Sequence, residues 1–77
     1  MTMFRLVYFD PAQGYGAIDS QRYNQIIDTD NHLKKEGKEV ICIVDYDQKM
    51  IDHKSADYRE HRDNIDDYIF DYEFLNS

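Results

Sequence analysis

The sequence predicts a mainly β fold: a small five-stranded barrel over residues 1–54 with an acidic amphipathic helix over residues 55–75. Three observations predict it. Met3–Phe9 and Tyr15–Ile18 are aromatic and branched runs separated by turn residues. Val40–Val44 is apolar at every position, and from Asp57 onward the apolar residues recur at helical spacing. The 77 residues suffice for a single domain with a small core, near the lower limit for folding without a staple. The lone Cys42 excludes an intramolecular disulfide framework and a cysteine-based zinc site. No apolar run approaches the roughly 18 residues of a membrane span, and the first residues lack the apolar core of a signal peptide. A cytoplasmic protein is expected.

Taken in order, Met3-Phe-Arg-Leu-Val-Tyr-Phe9 reads as the first strand. Asp10-Pro-Ala-Gln-Gly14 is a turn, because Asp bonds nearby backbone, Pro presets φ and Gly accepts a positive φ. Tyr15-Gly-Ala-Ile18 returns as the second strand, and Gly16 within it signals a bend or a close approach. Residues 20–36 admit two readings. Tyr23, Ile26, Ile27 and Leu33 can share a helix face that ends at Gly37, which gives a ββαβα arrangement of the α+β class. Against that helix, Asp28-Thr-Asp-Asn31 places four weak helix formers in a row. A strand at 23–28, a turn at 28–31 and one helical turn at 32–36 is the preferred reading. Val40–Val44 must be covered on both faces. Asp45–Gln48 turns the chain, and Lys49–Asp52 pairs back as the fifth strand.

The last third carries the charge asymmetry. The net charge is −7, and residues 57–77 hold seven acids against two bases. Tyr58, His61, Ile65, Tyr68, Ile69, Tyr72 and Leu75 form an apolar stripe, with Asp57 or Ser55 as its cap. The stripe needs a surface to cover, and Ile41 and Ile43 on the two-sided strand offer one. A second copy of the chain, making a homodimer, is the alternative cover.

The hairpin residues Phe9-Asp-Pro-Ala-Gln-Gly-Tyr-Gly-Ala-Ile-Asp19 resemble the first hairpin of the cold-shock domains, a branch of the OB-fold. Leu33-Lys-Lys-Glu-Gly-Lys-Glu-Val40 is similar to the opening of that family's fourth strand. The resemblance implies base-stacking positions at Tyr8 and Tyr15, with Tyr23 nearby. Arg5 and Arg22 would then serve as phosphate partners of a single-stranded nucleic acid. The chain departs from the pattern at Gln13, where the family has a basic residue, and at Ala17, where it has an aromatic. It also lacks the family's third-strand motif. Each lost stacking contact is worth about 1–3 kcal/mol, so the resemblance speaks for the fold more than for binding.

The acids suggest a different function. On a helix, carboxylates three or four positions apart rise about 4.5–6 Å. That is close to the roughly 6–7 Å between successive phosphates of a DNA strand. Asp57, Glu60, Asp63, Asp66, Asp67, Asp71 and Glu73 are the expected partner-binding carboxylates, with Phe70 and Phe74 among the aromatic anchors between them. In size, Asp content and aromatic content the chain resembles the small DNA-mimic inhibitors made by bacteriophages. That resemblance implies a basic host partner, such as a nucleoid protein, sliding clamp, polymerase or nuclease, and a place in the host cytoplasm. The competing reading of the acids is a solvated face that keeps a small protein soluble.

No enzyme, cofactor or metal is expected. Asp45-x-Asp47 has the spacing of a magnesium pair but lacks the partners such sites use, and Asp28-x-Asp30 lacks the glycine and glutamate of a calcium loop. His53, Asp57 and His61 are four apart, but His53 reads as the end of a strand and His61 as part of the helix stripe.

Overall fold

The computed structural model describes residues 3–48 and 50–65. It begins with the expected hairpin. Strand β1 (Phe4–Asp10) pairs antiparallel with β2 (Gly14–Ser20), from Phe4 opposite Ser20 to Asp10 opposite Gly14. Asp10 Oδ1 accepts the Ala12 N–H at 2.9 Å, the Gln13 N–H reaches the Asp10 carbonyl at 3.2 Å, and Gly14 takes φ +97°. The close approach signalled by Gly16 is made by a ring rather than a backbone. A Cβ added there would lie 2.5 Å from Tyr8 Oη and 2.6 Å from its Cζ.

Helix α1 (Tyr23–Lys35) corrects the preferred reading of residues 20–36. Residues 23–28 are helix, not strand, and the weak formers at 28–31 lie within it. One local partner offsets part of their poor propensity, since Lys34 Nζ lies 3.0 Å from Asp30 Oδ1; Thr29 Oγ1 satisfies its own hydroxyl by donating to the Gln25 carbonyl at 2.8 Å. Ile26 and Leu33 are buried, each burial contributing about 1.5–3 kcal/mol, which exceeds the propensity deficit of any one residue here. Gly37, at φ +84°, closes the helix. Its N–H bonds to the Lys34 carbonyl and the Lys38 N–H to that of Leu33, the paired bonds of a Schellman stop.

Strand β3 (Glu39–Asp45) then pairs with β1, and β4 (Met50–Lys54) pairs with β3, giving the antiparallel order β2-β1-β3-β4. This is an open four-stranded sheet rather than the five-stranded barrel expected. The segment that was to supply the third barrel strand is α1, so among the described residues β2 and β4 are the two edges. The arrangement is close to the alternative ββαβα reading, with β4 added.

Strand β3 is covered on both faces, as its unbroken apolar run requires. On the α1 face lie Phe4, Leu6, Ile26, Leu33, Val40 and Ile43. On the other lie Val7, Ile41, Cys42, Val44, Tyr58 and Ile65. A bulge explains why Ile41 and Ile43 face opposite sides. Val7 is opposite Cys42 and Tyr8 opposite Val40, so Ile41 is the extra residue and joins Cys42 on one face.

Among the described residues, the second cover is not the continuous α-helix expected from residue 55. Helix α2 spans only Tyr58–His61, a 3-10 turn follows at Arg62–Asn64, and Ile65 has left helical geometry at φ −104°, ψ 4°. Asp57 occupies the N-cap, but its side chain makes no capping bond. Tyr58 and Ile65 reach the Ile41 cluster as expected. The remaining stripe residues, Tyr68, Ile69, Tyr72 and Leu75, lie outside the described residues.

Candidate functional site

The seam between α2 and the sheet is fastened by one imidazole. Tyr15 leaves the hairpin turn on β2, Glu39 opens β3, and His61 closes α2. Their side chains converge: Tyr15 Oη lies 2.7 Å from His61 Nδ1, and His61 Nε2 lies 2.6 Å from Glu39 Oε2. Phe9 packs against both rings, at 4.8 Å from Tyr15 and 5.5 Å from His61 between centroids. The chemistry of the donors sets the tautomer. An ionised carboxylate only accepts, so Nε2 carries a proton toward Glu39. In the neutral ring Nδ1 then accepts from the Tyr15 hydroxyl, whose oxygen in turn accepts from Asn64 Nδ2 at 3.3 Å. With both ring nitrogens engaged, the arrangement is a latch holding α2 on the sheet.

That latch positions the first of the expected partner-binding acids. Asp57, Glu60 and Asp63 are exposed, and none has an ion-pair partner among the described residues. They are three apart, and from Glu60 into the 3-10 turn that spacing is close to one full turn. Several acids earlier in the chain are engaged, although Asp28 and Asp47 stand singly exposed without an ion pair among the described residues. Asp19 holds Arg5 through two contacts at 2.6 and 2.8 Å, Asp30 holds Lys34, Glu36 holds Lys38 and His32, and Glu39 holds His61. The Arg5 guanidinium keeps the Asp19 carboxyl below its ordinary pKa. Asp66, Asp67, Phe70, Asp71, Glu73 and Phe74 lie outside the described residues.

The structure does not assemble the three tyrosines of the alternative reading into one platform. Tyr8 packs with the cluster under α1, and Tyr23 meets Phe4 edge-on at 5.3 Å on that same side. Tyr15 lies on the opposite face, in the α2 seam. Of the two expected phosphate partners, Arg5 is committed to Asp19 and Arg22 stands exposed at the start of α1.

The histidines are also apart in their bonding. His53 Nε2 lies 3.1 Å from Tyr23 Oη, and His61 is in the seam, so the four-residue spacing of His53, Asp57 and His61 does not produce a shared cluster. Among the described residues, no group of three or more His, Cys, Asp or Glu is placed to hold a metal ion. Asp45 is buried, and its Oδ1 accepts the N–H groups of Asp47 and Gln48 at 3.0 Å, which shapes the β3–β4 turn. Burial pushes the Cys42 thiol up to about 12.

Sequence reasoning missed Glu39 and Asn64 as partners of the seam, because both meet Tyr15 or His61 only through the tertiary fold. The one local signal was a histidine placed on an otherwise apolar stripe. No family model, curated protein or solved structure matches the chain. No helix among the described residues is long and apolar enough to cross a membrane.

Proposed function

We propose that this chain is a non-enzymatic acidic protein that binds the basic, nucleic-acid-binding surface of a partner protein and competes with nucleic acid for it. The observation that carries the reading is the contrast in the bonding of its acids. Asp19, Asp30, Glu36 and Glu39 are tied to cations or a histidine within the fold and Asp28 and Asp47 stand singly, whereas Asp57, Glu60 and Asp63 form an exposed run without such partners among the described residues. Four more acids follow in sequence, at 66, 67, 71 and 73, with no base after Arg62. Exposed carboxylates of one sign attract a basic surface over about a Debye length and exclude phosphates from it. The latch at His61 holds the start of this segment at a fixed place on the sheet, which limits the entropy lost on binding.

The test is competition. A basic DNA-binding protein captured from a bacterial lysate is bound to labelled duplex DNA, and the chain is titrated in. Release of the DNA, weakened as salt rises, supports the reading. Replacing the seven acids by Asn or Gln abolishes that release while the amide spectrum of the sheet stays intact.

A further inference from the structure

The seam that fastens α2 also has the form of an activated nucleophile. A weak nucleophile becomes reactive when its proton can pass to a base within hydrogen-bond reach and a third group orients that base. Tyr15 Oη and Glu39 Oε2 meet these conditions on opposite nitrogens of the His61 ring, at 2.7 and 2.6 Å. Glu39 accepts from Nε2, which leaves Nδ1 of the neutral ring as the lone-pair side facing the Tyr15 hydroxyl. Asn64 Nδ2, 3.3 Å from the same oxygen, is a donor suited to the negative charge that grows there as the proton leaves. Tyr15 keeps part of its surface exposed, and its contact with Asn64 is an exposed one.

A second tyrosine supplies the contrast. Tyr23 Oη is 3.1 Å from His53 Nε2, but Asp52 Oδ2 lies 3.5 Å from that same nitrogen. One nitrogen cannot both donate to a carboxylate and accept the proton of a phenol, so His53 is not set up as a base for Tyr23. The hydrogen bond between Tyr23 and Asp52 also raises the pKa of the phenol, which holds it in the neutral form. Tyr23 is 39% exposed, so solvent access alone would make it the more reactive of the two.

We propose that Tyr15 is a covalent modification site, the acceptor of an acyl group from an activated thioester, with His61 as the base and Glu39 orienting it. Tyr15 Oη attacks the carbonyl carbon, and its proton passes to His61 Nδ1. The tetrahedral adduct collapses, the carbon–sulfur bond breaks, and the leaving thiolate takes the proton from the imidazolium. The products are a tyrosine ester and a free thiol, with nothing oxidised or reduced. An uncharged acyl group suits the place better than a phosphoryl group, because Glu39 lies in the seam and the exposed Glu60 and Asp63 adjoin His61 and Asn64 in sequence. The ester no longer donates to Nδ1, so modification unfastens one side of the latch. The chain is the acceptor and turns nothing over, and the step uses none of the acids assigned to partner binding. Its fate and that of the competition reading are therefore separate.

Treatment of the full chain with N-acetylimidazole, an uncharged activated acyl donor, tests the proposal. Tyrosine esters are mapped by mass spectrometry over time and confirmed by their release with hydroxylamine. Tyr15 should acetylate about tenfold faster than Tyr23 despite its lower exposure, with a rate that levels off below the ordinary phenol pKa of about 10. His61→Asn and Glu39→Gln should each slow Tyr15 by about tenfold or more and leave Tyr23 unchanged. Loss of the fold would open Tyr15 and raise its rate, so a fall in either variant does not come from unfolding. A Tyr15 rate no higher than that of Tyr23, or one that survives either substitution, would overturn the proposal.

Discussion

His61 Nε2 stands 2.6 Å from Glu39 Oε2, and this contact joins the last described helix to the first residue of the central strand β3. The same imidazole meets Tyr15 at 2.7 Å on its other nitrogen, so three elements far apart in sequence share one ring. Removing it strands two polar partners. His61→Ala should destabilise the fold by about 1–3 kcal/mol, which lowers the melting temperature by roughly 4–8 °C per kcal/mol in a domain of this size. Thermal unfolding followed by circular dichroism measures it. A double-mutant cycle with Glu39→Gln should show coupling of about 0.5 kcal/mol or more, and strict additivity would remove the latch from the account.

Gly16 is held open for the Tyr8 ring. A Cβ at Gly16 meets Tyr8 Oη at 2.5 Å, so Gly16→Ala forces the phenol aside. The expected cost is about 1 kcal/mol, the low end for overpacking, because the obstructing atoms are the outer end of a side chain. In a Tyr8→Ala background the cost of Gly16→Ala should largely vanish. Urea denaturation of the four proteins checks this, and an unchanged cost in the second background would argue against ring contact as its cause.

The Arg5–Asp19 pair gives stability a definite acid limb. Hydrogen bonding to Arg5 lowers the Asp19 pKa in the fold, so on acidification the unfolded chain takes up the proton first. The pair's contribution is therefore present above the ordinary carboxyl pKa near 3.8 and is lost as pH falls through the depressed value. Asp19 is half exposed, so solvent screening limits the effect to about 1 kcal/mol or less. Asp19→Asn should flatten the decline in stability measured from pH 6 down to about pH 3 by that amount. Arg5 remains charged throughout.

Cys42 is protected by its place on β3. It is 1% exposed with its thiol pushed up to about 12, so iodoacetamide at about pH 8 should modify it far more slowly in the native chain than in urea. Mass spectrometry over time measures the ratio. Equal rates would mean that the β3–α2 face opens readily.

Much of the fold was legible in local chemistry. The Asp10–Gly14 turn, the two-sided burial of Val40–Val44 and the stop at Gly37 each follow from residues that do one thing well. The error at residues 23–28 came from weighing propensity alone at Asp28–Asn31. The decisive energies there are the burial of Ile26 and Leu33 and the Asp30–Lys34 pair, which become visible only once the sheet is in place. The bulge at Ile41 was equally hidden, since an unbroken apolar run carries no mark of which residue is extra. At the candidate site, the acids at 57, 60 and 63 were legible as a spacing.

The central claim is that the exposed acids compete with nucleic acid for a basic protein surface. Fluorescence anisotropy of labelled duplex DNA bound to the captured partner tests it most directly, with the wild-type chain and the variant lacking all seven acids titrated in parallel. The account predicts that wild-type chain releases the DNA in a salt-sensitive manner and that the variant, folded, does not. Equal release by both proteins, or DNA that stays bound at saturating wild-type chain, would contradict it.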